Sequence, residues 1–206
     1  MYVSKPENYK IIVIGDSGVG KTSILNLYCG KHDYSITVGC DYIQKHLPEY
    51  NSILKIWDCA GQERYRALTR LFYRGSHGCV FVFDLSDIKT LYNINKYWIK
   101  AVFDNSFNPN IKPILIGNKS DLSINTDYKL IDFLCKKYNM AYLETSITTK
   151  KNIDSAFLTL TLSIINSSNN HLVDDSNVYS TDYNNDYHSI DMSNNDSISN
   201  KIYSFC

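Results

Sequence analysis

The sequence predicts an α/β fold in which a mainly parallel sheet is covered by helices on both faces. Between Lys10 and about Ile165, short apolar runs alternate with helix-length amphipathic segments. Polar motifs stand directly after several of the apolar runs. Alternation of this kind favours parallel strands, because each helix returns the chain to the same edge of the sheet. Ligands bind at the carboxyl ends of such strands, so the polar motifs are candidate binding residues.

Five apolar runs are predicted to be strands: KIIVIG, ILKIWD, GCVFVFDLS, IKPILIGNK and MAYLETS. The third and fourth are almost continuously apolar, which is typical of strands buried on both faces. Four other segments have apolar residues at helical spacing: KTSILNLYC, TLYNINKYWIKAVF, DYKLIDFLCKKY and NIDSAFLTLTLSII. A chain of 206 residues is large enough for one full core. Residues 1–165 are therefore predicted to form a single domain.

Residues 166–206 differ sharply in composition, being rich in Asn, Ser, Asp and Tyr without a sustained apolar period. Such a segment cannot bury enough surface to offset its ordering entropy, so it is predicted to be a disordered tail. The chain has no net charge, but residues 1–165 carry 20 basic and 15 acidic residues, whereas the tail carries 1 and 6. Nothing in this balance indicates a nucleic-acid partner.

The six cysteines are scattered and include no C-x-x-C pair. The N-terminus has no apolar core of a secretory signal, and no apolar run approaches the ~20 residues that span a bilayer. We therefore expect a reducing, intracellular setting. Five of the cysteines are expected to be structural thiols, namely Cys29, Cys40, Cys59, Cys79 and Cys135.

The first strand is followed by GDSGVGKT, from Gly15 to Thr22, which matches G-x-x-x-x-G-K-[ST] completely. Glycines permit a turn whose backbone N–H groups converge on phosphate oxygens, and the next helix adds its positive dipole end. Lys21 can reach the β- and γ-phosphates, and the Thr22 hydroxyl can bind Mg²⁺. The expected contacts are Gly15, Ser17, Gly18, Val19, Gly20, Lys21, Thr22 and Ser23. Adenylate kinases, ATPases and GTPases all use this motif, so it does not determine which nucleotide base binds.

A second motif, GNKSD, follows the fourth strand and indicates guanine. The Asp121 carboxylate can accept hydrogen bonds from N1–H and the 2-amino group of guanine, whereas adenine would leave a buried carboxylate unpaired. Asn118 belongs to the same motif, and the aliphatic stem of Lys119 can cover one face of the base. After the fifth strand, the backbone N–H groups of Ser146 and Ile147 are positioned to meet O6.

The segment WDCAGQERYRALTRLFYRG resembles the second switch of Ras-superfamily GTPases of the Rab branch. TVGCDY resembles the first switch of that branch, and FVFDLSD resembles its following strand and turn. The resemblance extends from about Lys10 to Phe157 and implies the small G-protein fold, an α/β P-loop NTPase with a mainly parallel six-stranded sheet and helices on both faces.

The resemblance also implies roles for the switch residues. Asp58 would hold Mg²⁺, and Thr37 would bind Mg²⁺ through its hydroxyl and the γ-phosphate through its backbone. Gly61 would donate its N–H to the γ-phosphate, and Gln62 would orient the attacking water. The catalytic residues would thus be Gln62, Lys21 and Thr37. Arg64 and Arg66 are more typical of switch surface than of an arginine finger, so slow intrinsic turnover is expected.

Two departures from the family pattern concern the nucleotide. Thr22 and Thr37 are only fifteen positions apart, which shortens the segment GKHDYSIT before the first switch. Tyr34, with His32 as the alternative, is expected to supply the aromatic edge that covers guanine. The ETSIT segment has Ile147 and Thr148 where relatives carry a small residue and lysine, which removes lysine packing but leaves the backbone contact to O6.

The tail ends at Cys206, which is expected to carry a prenyl group. The four-residue C-a-a-X pattern is absent, and only one cysteine stands where relatives end in a pair. A single chain gives reversible membrane binding, and an acidic tail cannot add attraction to an anionic leaflet. The alternative is an unmodified thiol. The expected location is the cytoplasmic face of an intracellular membrane, in exchange with cytosol.

Two functional hypotheses remain open at this stage. The first is a monomeric Rab-like GTPase that cycles between GTP and GDP with Mg²⁺ and recruits effectors in vesicle trafficking. An exchange factor and a GTPase-activating protein would act on its switch regions. The second is a nucleotide-bound scaffold whose shortened first switch no longer responds to the γ-phosphate. Identical partner binding in the GDP and GTP-analogue forms would favour the scaffold.

Overall fold

The computed structural model describes residues 5–30, 37, 39–62 and 69–174, with side chains described as far as residue 168. Its centre is a sheet of six strands: β1 (Glu7–Ile14), β2 (Cys40–Leu47), β3 (Ser52–Cys59), β4 (Gly78–Asp84), β5 (Lys112–Asn118) and β6 (Ala141–Glu144). Their spatial order is β2-β3-β1-β4-β5-β6. Only the β2–β3 pair is antiparallel. The predicted fold class, an α/β fold with a mainly parallel six-stranded sheet, is confirmed.

The helices of the described chain are α1 (Lys21–Cys29), α2 (Ile88–Asn93), α3 (Ile99–Ser106), α4 (Tyr128–Tyr138) and α5 (Ile153–Asp174). A π turn, Ile94–Trp98, joins α2 to α3, and short 3-10 turns occupy Pro48–Tyr50 and Arg70–Phe72. All four predicted helical segments are helical. The apolar runs correspond to β1, β3, β4, β5 and β6. Strand β2 lacks a continuous apolar run because it is an edge strand with mostly exposed or half-buried residues.

Two apolar clusters cover the two faces of the sheet. Ile11 and Val13 of β1 point into a cluster that includes residues of α1 and α5. Ile12 and Ile14 point into the other cluster, which includes residues of α3 and α4. Successive side chains of a strand leave opposite faces, so a central strand between two cores must be apolar throughout. This arrangement leaves the strand ends as the place for polar residues.

Helix α5 continues through Asp174, so residues 166–174 are helical although disorder was predicted from residue 166. Buried Leu160 and Ile164 anchor the helix, and the Ser168 hydroxyl donates to the Ile164 carbonyl at 3.1 Å. Backbone hydrogen bonding can extend a helix beyond its last buried residue, which the apolar pattern does not register. Residues 175–206 lie outside the described chain, so disorder there stays a prediction. None of the described helices is long and apolar enough to cross a membrane.

Candidate nucleotide site

The phosphate loop connects β1 to α1 at the carboxyl edge of the sheet. Gly18 and Gly20 have φ angles of +80° and +98°, in the region that favours glycine. Gly20 is the N-cap of α1, and no side chain caps this helix. The first N–H groups of a helix have no intrahelical partners, so they are available to an anion at the helix start. The loop therefore has the backbone geometry of an anion site.

Two glycines allow chain segments to approach the loop more closely than any side chain would permit. A Cβ at Gly15 would lie 2.0 Å from the Val82 carbonyl oxygen of β4. A Cβ at Gly61 would lie 2.4 Å from the Gly15 carbonyl oxygen. The predicted second switch thus begins in direct backbone contact with the phosphate loop. Any residue other than glycine at Gly61 would push the two segments apart.

Lys21 is buried at the base of the loop, with only 7% of its surface exposed. Its Nζ donates to the Asp16 carbonyl at 2.7 Å and the Gly15 carbonyl at 3.0 Å. Burial lowers the pKa of Lys21, while the negative charge of Asp58 opposes that shift. A buried ammonium gains most from an anion that replaces its lost water, which suits a phosphate ligand.

Three oxygen-bearing side chains predicted to bind metal meet beside Lys21. Asp58 Oδ2 accepts hydrogen bonds from the hydroxyls of Thr22 at 2.5 Å and Thr37 at 3.1 Å. The two hydroxyl oxygens are 2.9 Å apart. Asp58 is 1% exposed, and its Oδ1 has no hydrogen-bond partner among the described residues. Three separate parts of the chain, namely β3, the start of α1 and the segment at Thr37, thus meet at one carboxylate.

These residues fit Mg²⁺. Two hydroxyls and a carboxylate are hard oxygen donors, and Mg²⁺ binds through one or two carboxylates together with phosphate oxygens and water. Burial raises the pKa of Asp58, and a cation at its unsatisfied oxygen would favour the ionised form instead. Across the described chain, no group of three or more His, Cys, Asp and Glu residues could hold a metal ion. The cluster of Thr22, Thr37 and Asp58 is the candidate cation site because its oxygen donors suit Mg²⁺.

A cleft of about 280 Å³ opens between the phosphate loop and the segments at Thr37 and Gly61. Nine of the predicted site residues contribute to its lining, together with Ala60, which was not among the predicted residues. The lining residues are Ser17, Gly18, Gly20, Lys21, Thr22, Ser23, Thr37, Ala60, Gly61 and Gln62. The structure therefore brings all three predicted catalytic residues and most of the predicted phosphate and metal residues to one cleft, from three separate stretches of sequence. Gly15, Val19 and Asp58 do not contribute to the lining.

The base motif is linked directly to the phosphate loop through Asn118. This side chain is fully buried, and its Nδ2 donates to the Val19 carbonyl at 2.8 Å. Its Oδ1 accepts from the Thr145 hydroxyl at 3.1 Å. Lys119 has a φ of +65°, and its Nζ forms an ion pair with Asp84 Oδ2 at 2.6 Å. Asn118 thus connects three loops, a role that the sequence motif alone did not reveal.

Asp121 and Ser146 form the remaining part of the base motif. Asp121 Oδ1 accepts from the Ser146 hydroxyl at 2.6 Å, and this bond lowers the pKa of Asp121. The Asp121 carboxylate was predicted to be buried, but it is exposed. The cost of an unpaired carboxylate therefore applies only when a base covers it. The Ser146 N–H donates to the Lys151 carbonyl at 3.3 Å, so it is already engaged. The predicted contacts of the Ser146 and Ile147 N–H groups with O6 stay predictions.

Sequence reasoning missed a clamp on the side chain of Asp16 in the phosphate loop. Asn93 Nδ2 donates to Asp16 Oδ2 at 2.6 Å, and Trp98 Nε1 donates to Asp16 Oδ1 at 2.8 Å. Asn93 ends α2 and Trp98 ends the π turn. The only signal in the sequence was the pair of polar and aromatic residues inside an amphipathic helix. Their contact with the loop depends on the packing of α2 and the π turn against β4.

Several predicted residues lie outside the described chain. They are Tyr34 with its alternative His32, the switch arginines Arg64 and Arg66, and the tail cysteine Cys206. Their predicted roles stay predictions.

The chain is similar in sequence to known proteins of one family. A family model described as the Ras family matches residues 10–166. Ras-related protein Rab7 of Glycine max is 40% identical over 163 residues, covering 72% of this chain and 78% of that protein. Ras-related protein Rab-1 of Theileria annulata is 38% identical over 160 residues, covering 74% and 72%. Ras-related protein RABG3a of Arabidopsis thaliana is 38% identical over 163 residues, covering 73% and 79%. This chain belongs to the Ras superfamily of small GTPases, in its Rab branch.

Proposed function

We propose that this protein is a GTP-binding switch that hydrolyses GTP to GDP with Mg²⁺. The observation that carries the proposal is the convergence of Thr22, Thr37 and Asp58 beside Lys21. The buried Asp58 Oδ1 lacks a partner among the described residues, and the cleft at this cluster also contains Gln62. A cation-binding carboxylate, a phosphate-binding lysine and a water-orienting amide are the groups that phosphoryl transfer requires.

The residues have distinct tasks in the proposed reaction. Loop N–H groups and Lys21 bind the phosphates, and Thr22, Thr37 and Asp58 would hold Mg²⁺, which supplies positive charge for the transferring phosphoryl group. The Gly61 N–H binds the γ-phosphate, and Gln62 orients the attacking water. The backbone contact between Gly61 and the phosphate loop supports this placement. Catalysis of this kind is mainly positioning, so turnover is slow until an activating protein adds charge.

The same cleft supports switching. Thr37 and Gly61 belong to two separate chain segments, and both would contact the γ-phosphate. Loss of that phosphate removes the contact that holds them together, which changes the surface seen by partners. We propose that an exchange factor, an activating protein and effectors in membrane trafficking bind this surface. The scaffold alternative is distinguished by partner binding that is equal in the GDP and GTP-analogue forms.

The proposal is tested by measuring GTP turnover with and without Mg²⁺, together with competition by ATP. We expect Mg²⁺-dependent hydrolysis, no displacement by equimolar ATP and strongly reduced turnover in Gln62→Leu. Gln44→Leu is a matched control, because Gln44 is an exposed glutamine on β2 outside the cleft. Equal binding of ATP would contradict the assignment of guanine. Unchanged turnover in Gln62→Leu would contradict the catalytic role of that residue.

Membrane attachment through a prenyl group on Cys206 is part of the proposal and is supported by sequence alone. One lipid chain gives reversible binding, since each buried CH₂ contributes about 0.8 kcal/mol. We expect mass spectrometry of the native protein to show an isoprenoid on Cys206. The wild-type protein should be found on an intracellular membrane, and Cys206→Ser in the cytosol. An unmodified thiol in the native protein would end this part of the proposal.

A further inference from the structure

Two cysteines face each other where the β2–β3 ladder ends beside the nucleotide cleft. Cys40 and Cys59 are register partners in this antiparallel pair. The Ala60 N–H donates to the Gly39 carbonyl at 2.8 Å. This backbone hydrogen bond joins the neighbours of the two cysteines and not the cysteines themselves. Cys40 and Cys59 therefore form a non-hydrogen-bonded pair, the type in which the Cα atoms of opposite residues are closest, at about 4.5 Å.

The sulfur atoms are already in contact. Cys40 Sγ lies 2.9 Å from Cys59 Sγ, although nineteen positions separate the residues in sequence. A Cα separation of about 4.5 Å falls within the range of about 4.4–6.8 Å that disulfides occupy. A bond between these sulfurs therefore needs no large movement of either strand. Cys59 is 1% exposed, whereas Cys40 is half-buried and provides the accessible thiol.

We propose that Cys40 and Cys59 form a reversible disulfide that ties the end of the first switch to the start of the second switch. Cys59 directly follows Asp58 and stands two positions before Gly61, and Cys40 stands three positions after Thr37. The covalent bond would hold the strand that leaves the first switch against the strand that enters the second. Both residues were predicted to be structural thiols, because their spacing in the sequence does not indicate that they meet.

The oxidant is a small-molecule disulfide such as oxidised glutathione. The Cys40 thiolate attacks one glutathione sulfur, which forms a mixed disulfide and releases one glutathione thiolate. The Cys59 thiolate then attacks Cys40 Sγ, which closes the intramolecular bond and releases the second glutathione. The two protons of the cysteines are taken up by the two glutathione thiolates. The protein loses two electrons, and one glutathione disulfide is reduced to two thiols.

The bond should slow GDP release, because it restrains the separation of Thr37 from Asp58 beside the cleft. This consequence rests on the proposed function, whereas formation of the bond does not. A protein that binds no nucleotide could still form the disulfide. The covalent change and its effect on nucleotide therefore need separate measurements.

The test exposes full-length protein to oxidised glutathione, blocks the remaining thiols and measures intact mass and peptides without reduction. Trypsin cleaves after Lys45 and Lys55, so the disulfide appears as a linked pair of peptides. We expect this pair in wild type and in Cys135→Ser, which alters another half-buried cysteine. It should be absent from Cys40→Ser and Cys59→Ser. Glutathione retained on Cys40 without closure, or links at other cysteines only, would overturn the proposal.

The second measurement follows release of fluorescent GDP from oxidised and reduced protein in Mg²⁺. We expect several-fold slower release from oxidised wild type, full recovery after dithiothreitol and no redox response in Cys40→Ser. A linked peptide pair with unchanged GDP release would overturn the effect on the switches. If the protein binds no GDP at all, the proposed function fails, but the peptide result still decides whether the disulfide forms.

Discussion

At the scale of single residues, Asp58 shows how a buried carboxylate can prepare a cation site. Its Oδ2 accepts hydrogen bonds from two threonine hydroxyls, and its Oδ1 has no hydrogen-bond partner within the described chain. Because burial raises the pKa of Asp58, the folded protein binds a proton more tightly than the unfolded chain does. Ionisation of Asp58 thus destabilises the nucleotide-free fold as the pH rises from 3.8 through the raised pKa. The cation is expected to reverse this effect.

Asp58→Asn should therefore separate stability from function. It keeps the size of the side chain and removes the buried charge, so the free energy of unfolding of nucleotide-free protein should rise by about 1–3 kcal/mol at neutral pH. The same variant should lose the Mg²⁺-dependent tightening of GDP binding. Urea unfolding and GDP titration with and without Mg²⁺ measure the two effects. Asp104→Asn, at an exposed carboxylate, is the control. Retained Mg²⁺ dependence would exclude Asp58 as the cation ligand.

His77 should make the protein sensitive to acid. Its Nδ1 accepts from the Lys10 N–H at 2.9 Å, which requires a neutral ring. Burial, followed by the charge of Lys10, lowers the pKa of His77 below 6.5. The unfolded chain then binds more protons between the lowered pKa and 6.5, so stability is lost as the pH falls through that window.

The measurement for His77 is urea unfolding at several pH values from 7.5 to 5. We expect wild type to lose stability on acidification and His77→Asn to lose less, because asparagine supplies an acceptor without titrating. His46→Asn changes an exposed histidine and should behave as wild type does. An identical decline in His77→Asn would show that another group causes the acid sensitivity.

At the scale of elements, the π turn between α2 and α3 decides which residues reach the phosphate loop. Asn93 and Trp98 are five positions apart, and in an α-helix of 3.6 residues per turn that spacing points side chains about 140° apart. A π turn bonds residue i to residue i+5, which brings such residues to one face. Both can then donate to Asp16. The irregular turn is therefore the reason that the clamp exists.

Breaking the clamp should loosen nucleotide binding. Hydrogen bonds to a charged group contribute roughly 1.5–3 kcal/mol, and 1.4 kcal/mol corresponds to a factor of ten. Asn93→Ala and Trp98→Phe should each accelerate GDP release by about tenfold if that energy is transmitted to the loop. Asn95→Ala, at an exposed position in the π turn, is the control. Normal release in Asn93→Ala, which leaves the core intact, would show that the loop keeps its shape without the clamp.

At the scale of the whole molecule, the cleft joins segments that are otherwise separate. Asn118 connects the GNKSD segment to the phosphate loop by a hydrogen bond. Gly61 allows the start of the second switch to contact the same loop. Asp58 ties the β3 end to Thr22 at the start of α1 and to Thr37. A ligand that contacts all these segments stabilises the folded state by mass action, because the unfolded chain cannot bind it.

We therefore expect GDP with Mg²⁺ to stabilise the protein against heat. At a ligand concentration of 100 times Kd the gain is about 2.7 kcal/mol, which raises Tm by roughly 5–10 °C in a chain of this size. Chelation of Mg²⁺ should remove part of the gain, and ATP should give none. Asp121→Ala, at an exposed carboxylate, should keep the Tm of the free protein and lose the response to GDP. A full response in this variant would contradict the role of Asp121.

The sequence by itself determined the strands, the helices and the phosphate loop, because each depends on residues that are close together along the chain. The strands and helices follow from apolar periodicity, and the phosphate loop is one contiguous motif whose glycines sit where its turn requires them. The sequence also placed the fold class correctly, because alternation of strands and helices restricts the possible topologies. Edge strand β2 was not among the apolar runs, since an edge needs few buried residues.

Only the tertiary structure decided which distant residues touch. Asn118 and Val19 are 99 positions apart, Asp16 and Trp98 are 82 apart, and Cys40 and Cys59 are 19 apart. No local pattern encodes such contacts, because they arise when strand order and helix packing bring separate segments to one edge of the sheet. The same packing left Asp121 exposed and engaged the Ser146 N–H. The sequence therefore determined the elements and the candidate motifs, whereas the fold decided how the motifs are supported and connected.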